Sequence, residues 1–220
     1  MKIYDMPQKS EPWFEMRYGK LGGSSIDKLT TPAKFKTVKN ELISARLEDF
    51  VFDEDEANKF LGKAVARGNE LEPFARDYLN ELTGLGFKEY GWLQSDIKIF
   101  GLSPDGMTEN EKSSCEIKCP QASTHTKYIL AGYTIPSEYF WQCIAYFAVN
   151  PKLEKHWFIS YRPECQVEAH IIILERDAFT QFGKSKKTVQ EWVDMLLELA
   201  KQMDEEVDSA VEEILNRDLF

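Results

Sequence analysis

Gly101-Leu102-Ser103-Pro104-Asp105-Gly106, followed after a short loop by Cys115-Glu116-Ile117-Lys118-Cys119-Pro120, is the stretch on which the reading of this chain turns. The Pro-Asp-Gly turn breaks a strand at Asp105, so the carboxylate is offered at a strand end and not inside a sheet. In the strand that follows, side chains alternate, which puts Glu116 and Lys118 on one face and Ile117 on the other. One face thus carries two carboxylates, eleven positions apart in the chain, and an ammonium. Carboxylates converging from adjacent strands repel unless a divalent cation lies between them, and hard oxygen ligands select magnesium or manganese. Such an ion polarises a phosphodiester and lowers the pKa of a bound water, while a nearby lysine orients that water or stabilises the developing charge. The chemistry this points to is hydrolysis of a phosphate ester. The same spacing also fits a turn aspartate beside an exposed Glu–Lys strand face.

Working outward, strands are expected over Trp92 to Ser95, Ile97 to Leu102 and Ser114 to Cys119, then over Trp157 to Tyr161 and His170 to Leu174. Residues Glu72 to Leu82 predict a helix with Phe74, Tyr78 and Leu82 on one side, ended by Gly84 and Gly86. Another helix is expected to start near Asp53, because acids crowd its first turn and Lys59, Lys63 and Arg67 its later turns, with Gly68 stopping or bending it. Those three bases form a stripe that reads either as a solvated face, with a pair such as Asp55 and Lys59, or as a surface turned to DNA. Tyr139 to Val149 has the all-round hydrophobicity of a buried helix, and from Val189 onward Trp192, Val193, Leu196, Leu197, Ala200 and Met203 recur at helical spacing in one long helix or two. The layout is α/β around a mostly central sheet.

At 220 residues, 43% of them hydrophobic, the chain suits one domain and excludes a mainly disordered state. No apolar run approaches the ~20 residues that cross a bilayer, and Met1-Lys2-Ile3-Tyr4-Asp5 does not read as a secretory signal, so a cytoplasmic location is expected. Cys115, Cys119, Cys143 and Cys165 read as reduced thiols, with no second close Cys or His pair to complete a zinc site. His125, His156 and His170 are scattered and receive no chemistry. A net charge of −10 argues at first against a polyanionic substrate. Yet residues 191 to 220 hold ten acids and two bases, and Glu48 to Glu56 holds six acids and no base; the rest carries 25 bases against 21 acids. Charge therefore permits nucleic acid as a partner.

The Pro104-Asp105 … Glu116-Ile117-Lys118 pattern resembles that of the restriction-endonuclease-like PD-(D/E)xK nucleases. Trp13-x-x-x-Arg17-x-Gly19 with Gly23-Ser24, Gly68-x-x-x-Glu72-x-x-Ala75-Arg76, Leu102-Ser103-Pro104-Asp105-Gly106, Glu116-Ile117-Lys118-Cys119-Pro120 and Gln142-x-x-x-Tyr146 occur in the order seen in phage lambda-type exonucleases, the viral recombinase family. The similarity covers roughly residues 10 to 180. It implies a single nuclease domain over 1–220, with a restriction-endonuclease-like core at about 10–180, a central mixed β-sheet flanked by helices, and a C-terminal helical segment at about 181–220.

The resemblance also implies roles. Asp105 would bridge two Mg²⁺ ions, for which Mn²⁺ can substitute, with Glu116 and the main-chain carbonyl of Ile117 on one and Glu72 on the other. Lys118 would position or activate the attacking water, and Gln142 would help hold that water or the scissile phosphate, unless Gln142 and Tyr146 are core polar groups. Arg17, Ser24 and Ser103 would bind the 5′ phosphate, for which the fork of arginine is suited. Trp13 is read as a packing anchor, and Glu70 as second to Glu72. The implied activity is 5′→3′ digestion of one strand of linear double-stranded DNA, leaving 3′ tails for recombination, by a ring-shaped homotrimer that works with a single-strand annealing recombinase. The alternatives are an endonuclease or junction resolvase of the same fold, or a DNA-binding protein with a dead site. Gly22-Gly23 departs from the family's bulkier or hydroxylated residues, and the acidic C-terminus, unmatched in the family, reads as a helix docked through Trp192 and Leu196 or as a partner-binding surface.

Overall fold

The strand built on Ser113–Lys118 (β5) lies inside a four-stranded mixed sheet. It pairs antiparallel with β4 (Gly106–Met107) and parallel with β6 (Lys155–Tyr161), which pairs antiparallel with β7 (Ala169–Glu175). A parallel pair needs a crossover, and helices α4 (Ala122–Leu130) and α5 (Phe140–Val149) supply it. The structure, a computed structural model, describes residues 1–55 and 63–217.

Alternation along β5 and β6 separates two cores. Cys115, Ile117 and Ile159 point into a small cluster with Ala75, Leu79 and Phe87, under helix α3 (Lys63–Thr83). Phe158 points the other way, into the larger core that α5 fills with Phe140, Ile144 and Phe147. Gly106 is required where β4 crosses β5, since a Cβ there would lie 2.5 Å from Cys115 Sγ.

A second, antiparallel sheet joins β1 (Lys2–Tyr4), β2 (Trp92–Gln94) and β3 (Gly101–Leu102). The strand expected over Ile97 to Leu102 is thus confined to its last two residues. Ser95 Oγ takes the Ile97 N–H at 3.0 Å, and the Gln94 amide donates to the carbonyls of Ile97 and Phe100, so the chain turns tightly while Ile97 and Ile99 still bury their side chains. Gly68 likewise does not end or interrupt its helix: α3 runs through it, and through Pro73, to a stop at Gly84 with φ 67°. A helical glycine costs only about 1 kcal/mol, which the packing of Ala75 and Leu79 offsets. Of the basic stripe, Lys59 lies outside the described residues, while Arg67 is held by Glu164 at 2.8 Å.

Before α3 stand α1 (Glu11–Arg17), a 3₁₀ helix (Gly23–Thr30) and α2 (Pro32–Leu47). After β7 a hairpin of β8 (Phe179–Phe182) and β9 (Ser185–Thr188) leads into α6, one helix over Val189–Leu215 capped by Thr188 and Glu191. Trp192, Leu196, Ala200 and Met203 sit in the larger core. The acids of α6 are partly consumed in docking: Glu206 pairs with Lys39 at 2.8 Å, and Asp208 with Lys98 at 2.6 Å and Arg46 at 3.3 Å. Among the described residues the four cysteines are free thiols, and no helix is long and apolar enough to cross a membrane.

Candidate active site

A cleft of about 210 Å³ opens where the two sheets, α3, α5 and the N-terminal segment meet. It is lined by Glu72, Asp105, Glu116, Lys118, Gln142 and Tyr146 toward one end, and by Arg17, Ser24 and Ser103, with Trp13 behind them, toward the other. Residues as far apart in sequence as Trp13 and Tyr146 are therefore neighbours. The Ile117 side chain faces the small core, as alternation requires.

Glu116 is 1% exposed, and three donors hold it. Gln142 Nε2 donates to Oε1 at 2.6 Å, Tyr146 OH donates to Oε2 at 2.7 Å, and the Lys118 ammonium pairs with Oε1. Gln142 and Tyr146 are one turn apart on α5, so the two fix a single carboxylate from one helix face. Asp105 Oδ2 accepts the Ile117 N–H at 2.7 Å, which ties the turn to β5. The Arg76 guanidinium donates to the Asp105 carbonyl and pairs with Glu89 at 3.2 Å, closing the loop from the α3 side; Glu72 lies one helical turn away at 4.0 Å. Arg76 belongs to a recognised motif, but only its i,i+4 spacing from Glu72 hinted at this bracing role.

Electrostatics set the character of this end. Burial, then the charges of Glu116 and Glu72, hold the Asp105 carboxyl well above the ordinary aspartate range. Burial also lifts Glu72, against the pull of Arg76 and Lys9. Burial would lower the Lys118 ammonium, yet Glu116 and Asp105 outweigh it and keep it charged, and the Tyr139 ring lies 4.8 Å from Nζ. Three carboxylates thus converge, with Lys118, Arg76 and Lys9 as the cations about them, a hard-oxygen donor set that fits a divalent cation. Among the described residues no three acid, histidine or cysteine side chains already form a finished cage.

At the other end Arg17, the last residue of α1, lies with its guanidinium 4.1 Å from the Trp13 ring centre, and burial lowers its pKa to about 10, so it stays charged at neutral pH. Trp13 is 2% exposed and donates Nε1–H to Ser103 Oγ at 2.8 Å. Arg17 Nη1 reaches the same oxygen at 3.4 Å. Both neighbours can only donate, so the Ser103 hydroxyl hydrogen is not used by either. Ser24 is exposed on the 3₁₀ helix beside them. Gly22 and Gly23 give this end its room: a Cβ at Gly22 would lie 3.3 Å from Arg17 Nη2, and one at Gly23 3.4 Å from Gln142 Cγ. Glu70 is exposed and does not line the cleft. The three histidines are apart, each bonded to a serine or a main-chain carbonyl. Gln8 and Lys9 also line the cleft, and no motif in the sequence marks them.

This mixed α/β fold, with a carboxylate–lysine cleft where two sheets meet, defines a class, and the family can be given. Residues 12–152 match the YqaJ-like viral recombinase domain, and the chain belongs to that family. Its structure is similar to that of an alkaline exonuclease from Laribacter hongkongensis, with TM-score 0.73 and 26% identity over 94% of this chain and 96% of that one. The same enzyme in complex with dAMP matches equally well, over 93% and 96%. No curated protein matches the chain in sequence.

Proposed function

We propose that this protein is a Mg²⁺-dependent 5′→3′ exonuclease that degrades one strand of linear double-stranded DNA and leaves 3′ single-stranded tails for recombination. The observation that carries the reading is the junction, inside one cleft, of a carboxylate–lysine end with an Arg17–Ser103 end built to hold a terminal phosphate. The similar Laribacter enzyme, an exonuclease seen with a nucleotide, supports the reaction class.

Asp105, Glu116, the Ile117 carbonyl and Glu72 are the groups that would hold two magnesium ions. When bound, the metal supplies charge neutralisation of the phosphate and a more acidic water. Lys118, kept protonated by its carboxylate neighbours, orients the attacking water and donates to a phosphoryl oxygen as negative charge builds there. Gln142 and Tyr146 fix the Glu116 carboxylate so that its oxygens need no reorganisation during the reaction. Arg17 and the hydroxyls of Ser103 and Ser24 hold the 5′ phosphate, which sets the register of the strand over the carboxylates.

A ring-shaped homotrimer in the cytoplasm, handing its tails to a single-strand annealing recombinase, completes the proposal. Such a ring lets bases line a channel while the acids of a −10 chain face outward. The test is digestion, with magnesium, of linear duplex labelled separately at each 5′ and 3′ end, beside a closed circle. Loss of 5′ label as mononucleotides from 5′-phosphorylated ends, with the circle intact, is expected. Rapid cutting of the circle would replace the proposal with an endonuclease.

A further inference from the structure

The turn that precedes α1 places a lysine where the backbone favours glycine. Pro7 to Ser10 forms a four-residue turn closed by the Ser10 N–H on the Pro7 carbonyl, and its third residue, Lys9, has φ 66°. That position of a turn is suited to glycine or asparagine, because a Cβ in the left-handed region crowds the following carbonyl. Lys9 and Glu111 are the two non-glycine residues with positive φ among the described residues, and Lys9 is the one that lines the cleft. The turn is also pinned. Gln8 Nε2 donates to the Tyr90 carbonyl at 2.9 Å and to the carbonyl of Pro104, the residue before Asp105, at 3.2 Å. The backbone of Met6 presses so closely on Gly91 that a Cβ there would collide with it. Lys9 is thus anchored to the same loop that carries Asp105.

Lys9 lines the same cleft as Glu72 and Asp105, and among the described residues its ammonium makes no ion pair with an acidic group. A half-buried cation that faces an acidic cleft and makes no ion pair there is a binding group waiting for an anion. We infer that Lys9 binds a backbone phosphate of the DNA strand lying over Glu72, a contact separate from the terminal-phosphate group of Arg17, Ser24 and Ser103. The inference rests on the nuclease reading. Backbone strain persists where the surrounding structure enforces it and clusters at functional positions, and here a pinned, strained turn carries one charge into the cleft.

The experiment measures binding of a short duplex by fluorescence anisotropy, with metal chelated so that no cleavage intervenes, over a range of salt. Lys9→Asn and Lys9→Gly are compared with Lys9→Arg. The two neutral variants are expected to bind about tenfold more weakly at low salt and to lower the slope of log affinity against log salt by about 0.9, one phosphate's worth. Lys9→Arg is expected to keep the slope. Thermal melting without DNA separates binding from building: Lys9→Gly relieves the left-handed lysine and is expected to melt at or above the wild-type temperature. An unchanged salt slope in both neutral variants, or a Tm of Lys9→Gly that falls with its affinity while the slope holds, overturns the inference. If the slope falls but the end-labelled duplex is never digested, the nuclease proposal fails and the Lys9 contact stands. A wild type that binds no duplex removes both.

Discussion

The two ends of the cleft are built on opposite principles. The carboxylate end stands on regular elements, α3, β5 and α5, and its groups are over-determined: Glu116 alone has three donors, and Asp105 is tied by its carboxylate to β5 and by its carbonyl to Arg76. The Arg17 end stands on a short helix, a 3₁₀ helix and a turn, and its central group, Arg17, lies against the rings of Trp13 and Trp92 and makes a long 3.4 Å bond to Ser103. Rigid geometry suits charges that must not reorganise as the transition state forms. A looser end suits a strand terminus that must be released and re-bound after every cut. Damage at the first end should therefore appear in turnover, and damage at the second in substrate preference.

The sharpest way to break that contrast is at Asp105. Asp105→Ala removes the group expected to serve both ions and should abolish digestion while duplex binding is kept or improved, because a carboxylate that repels phosphate is gone. Near-normal turnover of the purified variant would sink the assignment. A milder cut is Tyr146→Phe. It leaves the ring 4.2 Å from His156 and deletes the hydroxyl, which donates to Glu116 Oε2 and accepts the Asp105 N–H at 3.4 Å. Groups that orient a ligand typically matter by about 10- to 100-fold, so turnover should fall by that much with the 5′-phosphate preference unchanged. A loss of preference in this variant would show that the two ends are coupled.

The same contrast explains what could be read from sequence. The carboxylate end was legible because regular structure has a period: alternation put Glu116 and Lys118 together, and helical spacing put Gln142 and Tyr146 on one face. Lys118, Asp105 and Glu72 meet in space as the motif order suggests. The other end was legible only in Arg17, Ser24 and Ser103, through resemblance, since a two-turn helix, a 3₁₀ helix and a turn are too short to show a period. Lys9 and Gln8 left no trace, because a turn lysine looks like any surface lysine until its φ is known. In the fold, Gly68 misled because glycine marks an end only when packing does not hold the helix, and Ile97 to Phe100 misled because alternating apolar residues fill a buried turn as well as a strand. The segment from about 181, expected to be helical, begins instead with the β8–β9 hairpin, whose turn is signalled by Gly183-Lys184 between Phe179-Thr180-Gln181-Phe182 and Ser185 to Thr188.

At the loose end the larger expected effect belongs to Arg17→Ala. Removing hydrogen bonds to a phosphate dianion should cut the preference for 5′-phosphorylated over 5′-hydroxyl duplex by about tenfold to a hundredfold, in single-turnover digestion of the two substrates. Arg17→Lys keeps charge and loses the fork, so it should recover only part of the preference. Full recovery would mean that charge alone, and not the planar pair of donors, selects the end.

The smallest and most discriminating change is Gly22→Ala. Gly22 has φ −89° and ψ 168°, an extended backbone open to any residue, so the substitution brings no conformational strain. It should leave Tm unchanged or slightly raised, because alanine narrows the unfolded ensemble. What it adds is a methyl 3.3 Å from Arg17 Nη2 and 3.7 Å from its Cζ, on a guanidinium backed by the Trp13 ring. The guanidinium must move by a few tenths of an ångström, lengthening a bond to Ser103 that is already long. Hydrogen bonds weaken with such displacement, so the 5′-phosphate preference should fall by about two- to fivefold with turnover on bound ends unaltered. A preference as low as that of Arg17→Ala would show that the loose end is as exacting as the carboxylate end. An unchanged preference would show that Arg17 has slack beyond what its stacking on Trp13 suggests.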